Sequence, residues 1–191
     1  DIDPSWEMVE FGKLIIYNQT GLIRNKGQQN DKYDYPYIKM GDMTYDGQLN
    51  FDKITNVNCD KKELNKYKLE KNDLLFNTRN TPSLVGKVAI FNLDKENYLF
   101  NNNIMRLRFV DNISPHFMSY ILNIDKYKDE LRRFVSGTTS VAAIYSQQLF
   151  SIKVPNPSME IQKEIVKKLE QEREVIEGNK ELIKIYEKKI N

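Results

Sequence analysis

Three polar segments of the sequence carry side-chain types that recognise nucleic-acid bases and phosphates. The first covers residues 24–30 and supplies Arg24, Lys26 and Gln28 as candidate DNA contacts. Arginine matches the edge of guanine, and asparagine or glutamine matches that of adenine, because their donors and acceptors are spaced to fit. The chemistry that this segment predicts is base recognition.

The second segment covers residues 77–83 and continues through Gly86 to Lys87, between two predicted strands. It supplies Arg79, Asn80 and Lys87 as candidate contacts. We expect Arg79 to be the principal base reader, because two strands anchor its loop and a guanidinium can bind guanine through two hydrogen bonds.

The third segment follows the basic pair Arg132 and Arg133 and covers residues 136–140. Its hydroxyl and backbone N–H groups are donors suited to a phosphate, and Thr138 is its candidate contact. Taken alone, each of the three segments fits an ordinary solvated loop equally well. The loops by themselves therefore do not establish DNA binding.

Residues that would catalyse a reaction are missing from the sequence. His116 is the only histidine and Cys59 the only cysteine, so no Cys–His pair, Ser–His–Asp set or multi-cysteine metal site is indicated. The eight glycines are scattered and form no phosphate-binding loop. Asp46, followed by Asp60 and Lys61, is the nearest approach to a nuclease site. We therefore predict no catalytic residue, no cofactor and no metal ion.

The composition indicates a folded, cytoplasmic chain with little excess charge. Of the 191 residues, 40% are hydrophobic and 29% are charged, and no apolar run is long enough to span a bilayer. The net charge is only +2, so DNA binding would have to rely on local clusters. The sequence starts without a methionine or a signal-peptide pattern, which indicates a piece of a longer polypeptide.

Apolar periodicity and turn formers divide the sequence into two parts. Residues 1–157 alternate β-branched and aromatic runs with helical segments, which predicts an α+β domain with mixed strands. Helices are predicted to begin after Ser114 and at Asp125, and to end near residues 122 and 135. The predicted strands are 7–16, 35–39, 73–77, 85–91, 104–110 and 150–154.

Residues 158–191 predict one long C-terminal helix with a coiled-coil seam. With the polar residues Glu172 and Asn179 included, seam residues recur from Ile165 at alternating spacings of four and three, which is the heptad pattern. A helix of about 50 Å cannot bury such a stripe against a small domain, so we predict that it pairs with another helix. The alternative is an amphipathic helix that lies on the core. The predicted helix-pairing residues are Ile165, Leu169, Ile176, Asn179, Ile183, Tyr186 and Ile190.

The order of several short motifs resembles the specificity subunits of type I restriction–modification systems. The similar segments are residues 6–12 (W-x-x-V-x-L-G in the family), 35–42 (P-Y-I-x-x-G-D), 71–79 (G-D-I-L-F-x-x-R), 85–89 (G-K-x-A) and 136–166 (G-T, I-x-V-P-x-P and E-Q-x-x-I-V in that order). Asn72 replaces a glycine of this pattern, and Ile161 replaces a glutamate. The resemblance covers nearly the whole chain.

The resemblance implies a non-catalytic protein that recognises one half of a bipartite double-stranded DNA site. In that family, two recognition domains are separated by two long antiparallel helices that act as a ruler. The implied partners are DNA, an adenine-N6 methyltransferase (modification) subunit, a restriction and translocase subunit joined through the complex, and another recognition half or a second copy of this chain. One domain with one helix then corresponds to a fragment, a natural half-subunit or part of a fused methyltransferase chain.

Two other functions remain open from the residues alone. The chain is either a protein-interaction module with a coiled coil and no DNA role, or a metal-dependent nuclease with a dimerising tail. Salt-dependent binding of duplex DNA would favour recognition over the first alternative. Metal-dependent cleavage of DNA would favour the second.

Overall fold

The structure, a computed structural model, describes residues 2–138 and 140–190, with the backbone alone at residue 190. Thr139 of the hydroxyl-rich third segment therefore lies outside the described residues. The strands are β1 Met8–Glu10, β2 Ile15–Thr20, β3 Tyr35–Ile38, β4 Thr55–Val57, β5 Asp73–Asn77, β6 Arg79–Asn80, β7 Val88–Phe91, β8 Leu99–Phe100, β9 Ile104–Phe109, β10 Ser136–Gly137, β11 Ala142–Ala143 and β12 Lys153–Pro155. The α-helices are α1 Lys61–Tyr67, α2 Pro115–Asn123, α3 Asp125–Arg132, α4 Ser146–Ser151 and α5 Met159–Ile190.

An antiparallel sheet in the order β2-β9-β5-β7 forms the centre of the head, which is our name for residues 1–157. The predicted strand 73–77 is confirmed as β5, and all of its side chains are buried. Leu74 and Phe76 point into one apolar cluster and Leu75 into another, as the alternation of a strand with two covered faces requires. The rest of the head is built around this strand.

Three smaller sheets complete the head. The first has the order β4-β3-β8 and mixes directions, since β3 pairs antiparallel with β4 and parallel with β8. The second, β10-β11-β6, joins distant parts of the sequence. The third pairs β1 with β12 and so brings the two ends of the head together. Mixed sheets, helices and a long C-terminal helix confirm the predicted α+β class.

Helix α2 begins where the sequence predicts. The hydroxyl of Ser114 accepts a hydrogen bond from the backbone N–H of Phe117, and Pro115 occupies the first helical position. Phe117, Met118 and Leu122 are fully buried, so α2 covers one face of the central sheet. Helix α3 starts at Asp125 as predicted but ends at Arg132.

Three predicted strands are wrong in part. The strand 85–91 begins only at Val88, because residues 82–86 form a turn. The strand 7–16 is interrupted by the 3-10 turn Phe11–Leu14, because Phe11 and Leu14 are both buried and three residues apart, which suits one helical turn. The strand 150–154 is replaced by the end of α4, and β12 begins only at Lys153.

Helix α1 was missed by the sequence analysis. The carboxylate of Asp60 accepts a hydrogen bond from the backbone N–H of Glu63 at 2.7 Å, and the carboxylate of Glu63 accepts one from the N–H of Asp60 at 3.2 Å. This reciprocal capping box, an Asp followed three residues later by a Glu, is a sequence pattern from which the start of α1 could have been predicted.

Helix α5 leaves the head after its first turns. Gln162 is fully buried, and Ile165, Val166 and Leu169 are half-buried against the head. From residue 174 to residue 189 every side chain is exposed. None of the helices in the part of the chain that the structure describes has the length and apolar content needed to cross a membrane.

Candidate nucleic-acid interface

The second and third polar segments are neighbours in the structure. Strand β6 pairs with β11, which places Arg79 opposite Ala143 and Asn80 opposite Ala142. Strand β11 in turn pairs with β10. The backbone N–H of Ile144 also donates to the carbonyl of Thr78 at 3.0 Å. These pairings unite two candidate loops that are far apart in the sequence.

A buried amide fixes the backbone that carries Arg79. The Nδ2 atom of Asn77 donates to the carbonyls of Arg79 and Asn103, each at 2.9 Å, and its Oδ1 atom accepts from Asn80 at 2.9 Å. Asn77 is fully buried, so these hydrogen bonds are shielded from water. The Arg79 side chain is exposed and forms no hydrogen bond or ion pair with any residue that the structure describes. A free guanidinium therefore stands on a rigid support.

Arg79 lines a groove whose walls come from several elements, and we call it the Arg79 groove. Strand β2 contributes amide and hydroxyl groups, the turn before β9 contributes Asn102, and the start of α4 contributes Tyr145. The groove residues named below are Asn18, Gln19, Thr20, Ile23, Arg79, Asn102 and Tyr145. Of these only Arg79 was predicted from the sequence. The run Asn18-Gln19-Thr20 at the end of a strand was the available signal for the β2 residues.

In the first polar segment, Arg24 is bound by other residues of the protein, whereas Lys26 and Gln28 are exposed to solvent. The Nη2 atom of Arg24 lies 2.5 Å from a carboxylate oxygen of Glu63, and its Nε and Nη2 atoms donate to the carbonyl of Asn58 at 3.1 and 3.0 Å. The Arg24 guanidinium is therefore engaged within the protein. Lys26 and Gln28 are exposed on a 3-10 turn, where Gln28 accepts from the backbone N–H of Asn25.

Lys87 is also held by the protein. Its Nζ atom donates to the carbonyl of Met40 at 2.8 Å and to that of Met43, and it lies 5.7 Å from the ring of Tyr45. Burial lowers the pKa of Lys87, and the nearby Asp42 carboxylate opposes this effect. Burial in turn raises the pKa of Asp42. The lysine thus ties the start of β7 to the turn that follows β3.

Thr138 lies at the tip of the β10–β11 hairpin. Its backbone N–H donates to the carbonyl of Val141 at 2.8 Å, and its hydroxyl is 3.3 Å from that of Ser140. The side chain is exposed, so its hydroxyl can reach a ligand. Asn80 is half-buried and reaches Asn77, which leaves the Asn80 side chain partly engaged.

A buried ionic network that was not predicted from the sequence joins β5 to β9 and contacts β2. Asp73 is 2% exposed, and Arg108 donates to its two oxygens from Nε at 2.6 Å and from Nη2 at 3.1 Å. Arg106 lies 3.8 Å from the same carboxylate, and its guanidinium sits 5.2 Å from the ring of Tyr17 on β2. Hydrogen bonding to Asp73 raises the pKa of Arg108. A planar guanidinium with two bonds fixes both partners, so the network ties β9 to β5, and the Tyr17 ring of β2 packs against it.

The predicted pairing seam changes environment along α5. Ile165 and Leu169 border an apolar groove of the head that includes Trp6 and Ile124. Three later seam residues with large apolar side chains are exposed: Ile176 by 52%, Ile183 by 57% and Tyr186 by 59%. Asn179 is exposed as well, and the side chain of Ile190 lies outside the described residues. The first part of the seam therefore faces the head, and the second part faces solvent.

Within residues 2–138 and 140–190, no group of three or more His, Cys, Asp or Glu side chains is arranged to hold a metal ion.

The fold and the site define a class of protein: an α+β head, with an exposed arginine beside a polar groove, on a long and largely exposed helix. The sequence matches the family model described as the type I restriction modification DNA specificity domain over residues 4–185, and the chain belongs to that family. This confirms the family resemblance drawn from the motifs. It also supports DNA sequence recognition in a type I restriction–modification system as the function of this family.

Known relatives agree with this assignment. The chain is 30% identical over 169 residues to a specificity subunit ascribed to the type I restriction enzyme MjaX of Methanocaldococcus jannaschii, with 87% of this chain and 39% of that protein covered. It is 26% identical over 168 residues to the StySPI specificity subunit of Salmonella potsdam, with coverage of 87% and 36%.

A solved structure shows the same fold. The type I restriction–modification S subunit from M. genitalium superposes with a TM-score of 0.66 at 17% identity, over 97% of this chain and 44% of that one. The chain thus spans about two fifths of the length of the relatives it matches.

Proposed function

We propose that this chain reads one half of a bipartite double-stranded DNA site and directs a partner adenine-N6 methyltransferase to that site. The observation that carries the proposal is the exposed guanidinium of Arg79, fixed on β6 at the wall of a polar groove. Guanine offers two acceptors that such a guanidinium can bind together. A single head in a chain that spans about two fifths of its relatives supports the reading of one half-site.

The candidate contacts then take different roles. Arg79 reads a base, while Lys26, Gln28 and Thr138 are exposed and serve as further base or phosphate contacts. Asn80 supports the Arg79 strand through Asn77. Arg24 and Lys87 have structural roles, because their charged groups already have partners in the protein.

We also propose that α5 pairs with a helix of another recognition half or of a second copy of this chain. Four consecutive seam positions support this, since Ile176, Asn179, Ile183 and Tyr186 lie exposed beyond the head. Apolar stripes of this kind are stabilised when a second helix covers them. In the proposed assembly the methyltransferase binds along the paired helices, and the restriction subunit joins through that complex.

The decisive experiment exchanges this chain for the matching part of a functional system and maps adenine methylation across a genome. We expect one half of the methylated motif to change while the other half is retained. In the exchanged system, Arg79→Ala should weaken methylation of that motif, with a cost of about 1–3 kcal/mol for a lost bidentate base contact.

Lys95→Ala is the matched control, since Lys95 is an exposed cation in the turn after β7, at the opposite end of β5 from Arg79. Methylation with an unchanged motif would contradict sequence recognition and favour the protein-interaction module. Metal-dependent cleavage by the purified chain would favour the nuclease.

Helix pairing has its own test in sedimentation equilibrium. We expect the purified chain to associate at high micromolar concentration, and Ile176→Glu with Ile183→Glu to abolish the association by placing charges on the seam. Glu181→Lys, an exposed change on the same helix outside the predicted seam, is the control. A strictly monomeric wild-type chain would refute self-pairing.

A further inference from the structure

Ile23 is the most exposed large hydrophobic side chain among the described residues, with 71% of its surface accessible. Single exposed apolar residues are common and need no explanation by themselves. Ile23 differs because both of its neighbours in the chain are fixed to the protein and because it lines the Arg79 groove.

The residue before Ile23 is fixed by buried contacts. Leu22 is 3% exposed, its backbone N–H donates to the carbonyl of Phe100 at 2.8 Å, and its carbonyl accepts from the hydroxyl of Tyr37 at 2.5 Å. Leu22 also forms a parallel bridge with Asn101. These contacts fix the position of the backbone at Leu22, immediately before Ile23.

The residue after Ile23 is Arg24, which is fixed by an ion pair with Glu63 and by hydrogen bonds. The Nη1 atom of Arg24 donates to the carbonyl of Ile23 itself at 2.9 Å, while the rest of its guanidinium binds Asn58 and Glu63. The Arg24 side chain is only 13% exposed. Arg24 thus holds the Ile23 peptide in place and turns the isoleucine side chain outward.

The groups that surround Ile23 in the Arg79 groove indicate which part of a DNA base its side chain could contact. The Arg79 groove offers the guanidinium of Arg79, the amides of Asn18, Gln19 and Asn102, and one further exposed apolar surface, the ring of Tyr145. Amides and a guanidinium match the polar edges of bases in the major groove. The apolar group that bases present there is the C5 methyl of thymine.

We propose that Ile23 is a specificity-determining residue that contacts the C5 methyl group of a thymine in the recognised half-site. The inference rests on the proposed function and adds a chemical requirement to it: the half-site contains an A·T pair whose thymine methyl enters the groove that Arg79 lines. Arg24 is the positioning residue for this contact, because it holds the Ile23 carbonyl.

The test uses the methyltransferase complex assembled with this chain and a duplex carrying the mapped motif. Each thymine of the half-site is replaced singly by uracil, which removes the methyl group and leaves every hydrogen bond in place. At one position we expect binding to weaken about fourfold, the effect of losing one buried methyl group at about 0.8 kcal/mol. The other thymine positions should respond less.

A double-mutant cycle assigns that methyl group to Ile23. The variant Ile23→Ala should weaken binding of the thymine duplex and make the same uracil replacement nearly neutral, because the two changes remove one contact. Ile16→Ala is the matched control: Ile16 is 65% exposed on β2 but lies outside the residues that line the groove. In that variant the uracil effect should persist in full. Since Ile23 is exposed, Ile23→Ala should fold normally, which thermal unfolding checks.

Three results would overturn the inference while leaving the proposed function intact. They are a mapped half-site without an A·T pair, a set of uracil duplexes that all bind like the thymine duplex, and uracil and Ile23→Ala effects that simply add. A complex that binds the mapped motif no better than a scrambled duplex would instead refute the proposed function itself.

Discussion

The side-chain oxygen of Gln162 on α5 accepts a hydrogen bond from the backbone N–H of Ser114 at 2.8 Å. The Nε2 atom of the same amide donates to the carbonyls of Asn112 at 3.1 Å and Pro157 at 2.9 Å. Because Ser114 also caps α2, one buried glutamine couples the main helix of the head to the start of α5. The direction of the long helix therefore depends on the core of the head.

Replacing Gln162 by methionine should destabilise the protein. The change keeps a similar side-chain volume but leaves three backbone groups without their partner, which lowers the free energy of unfolding by about 1–3 kcal/mol. Urea denaturation followed by circular dichroism measures the effect. Gln171→Met, at an exposed position of the same helix, should leave the midpoint unchanged. Equal midpoints for Gln162→Met and the wild type would contradict the coupling.

Replacing Arg24 should mainly lower the stability of the protein rather than weaken DNA binding directly. Its side chain is 13% exposed and pairs with a Glu63 side chain that is 32% exposed, so Arg24→Ala leaves a half-buried carboxylate without its partner. We expect a loss of about 1–3 kcal/mol in the free energy of unfolding, as for other hydrogen bonds to charged groups. Chemical denaturation provides the measurement, and Lys26→Ala on the same exposed turn serves as the control. Full stability of Arg24→Ala combined with weaker cognate binding would show a direct base contact instead.

Much of the fold was predictable from local sequence. Strand β5 was predicted with the observed bounds because the apolar run 74–76 lies between turn formers. The start of α2 was predicted from Ser114 and Pro115. Asn72 could be explained only by the structure: it has a φ of 72°, in the left-handed region that glycine and asparagine adopt most readily. This is why asparagine can replace the glycine of the family pattern.

The candidate site was less predictable, because non-local pairings assemble it. The polar types in three loops were visible, but the pairing of Arg79 with Ala143 depends on strand contacts between distant segments. Sequence alone also could not separate Arg79, which is free to bind, from Arg24, whose partner Glu63 lies on a helix that the sequence analysis missed. Residue type suggested both arginines equally, and only burial distinguished them.

Lys87 provides a second case in which a predicted contact should prove structural. Its ammonium group bridges the carbonyls of Met40 and Met43, so Lys87→Met should lower the free energy of unfolding by about 1–3 kcal/mol through unpaired acceptors. The salt dependence of DNA binding should stay the same, because no phosphate contact is lost. Lys53→Met, an exposed change, is the control for stability. A slope of log affinity against log salt that falls by about one unit in Lys87→Met would instead show a phosphate contact.

His116 lies at the junction between the head and α5 and should make the stability of the protein depend on pH. Its Nε2 atom lies 3.1 Å from Oδ1 of Asn72, and its Nδ1 atom lies 3.3 Å from a carboxylate oxygen of Glu170 on α5. Burial lowers the pKa of His116; the Glu170 carboxylate opposes this effect, and the positive charges of Arg173 and Lys71 add to it. The folded protein therefore binds a proton at this site less readily than the unfolded chain does.

The sign of the pH effect follows from that lowered pKa. The neutral imidazole contributes its full stability above the usual histidine pKa of about 6.5, and that contribution is lost as the pH falls through the lower pKa of the folded state. We expect the wild-type free energy of unfolding to decrease between pH 7.5 and pH 5.5, and His116→Asn to remove most of this decrease. Urea denaturation at a series of pH values measures both curves. Since His116 is the only histidine, the carboxylates that titrate at lower pH affect both proteins alike, so parallel curves would refute the effect.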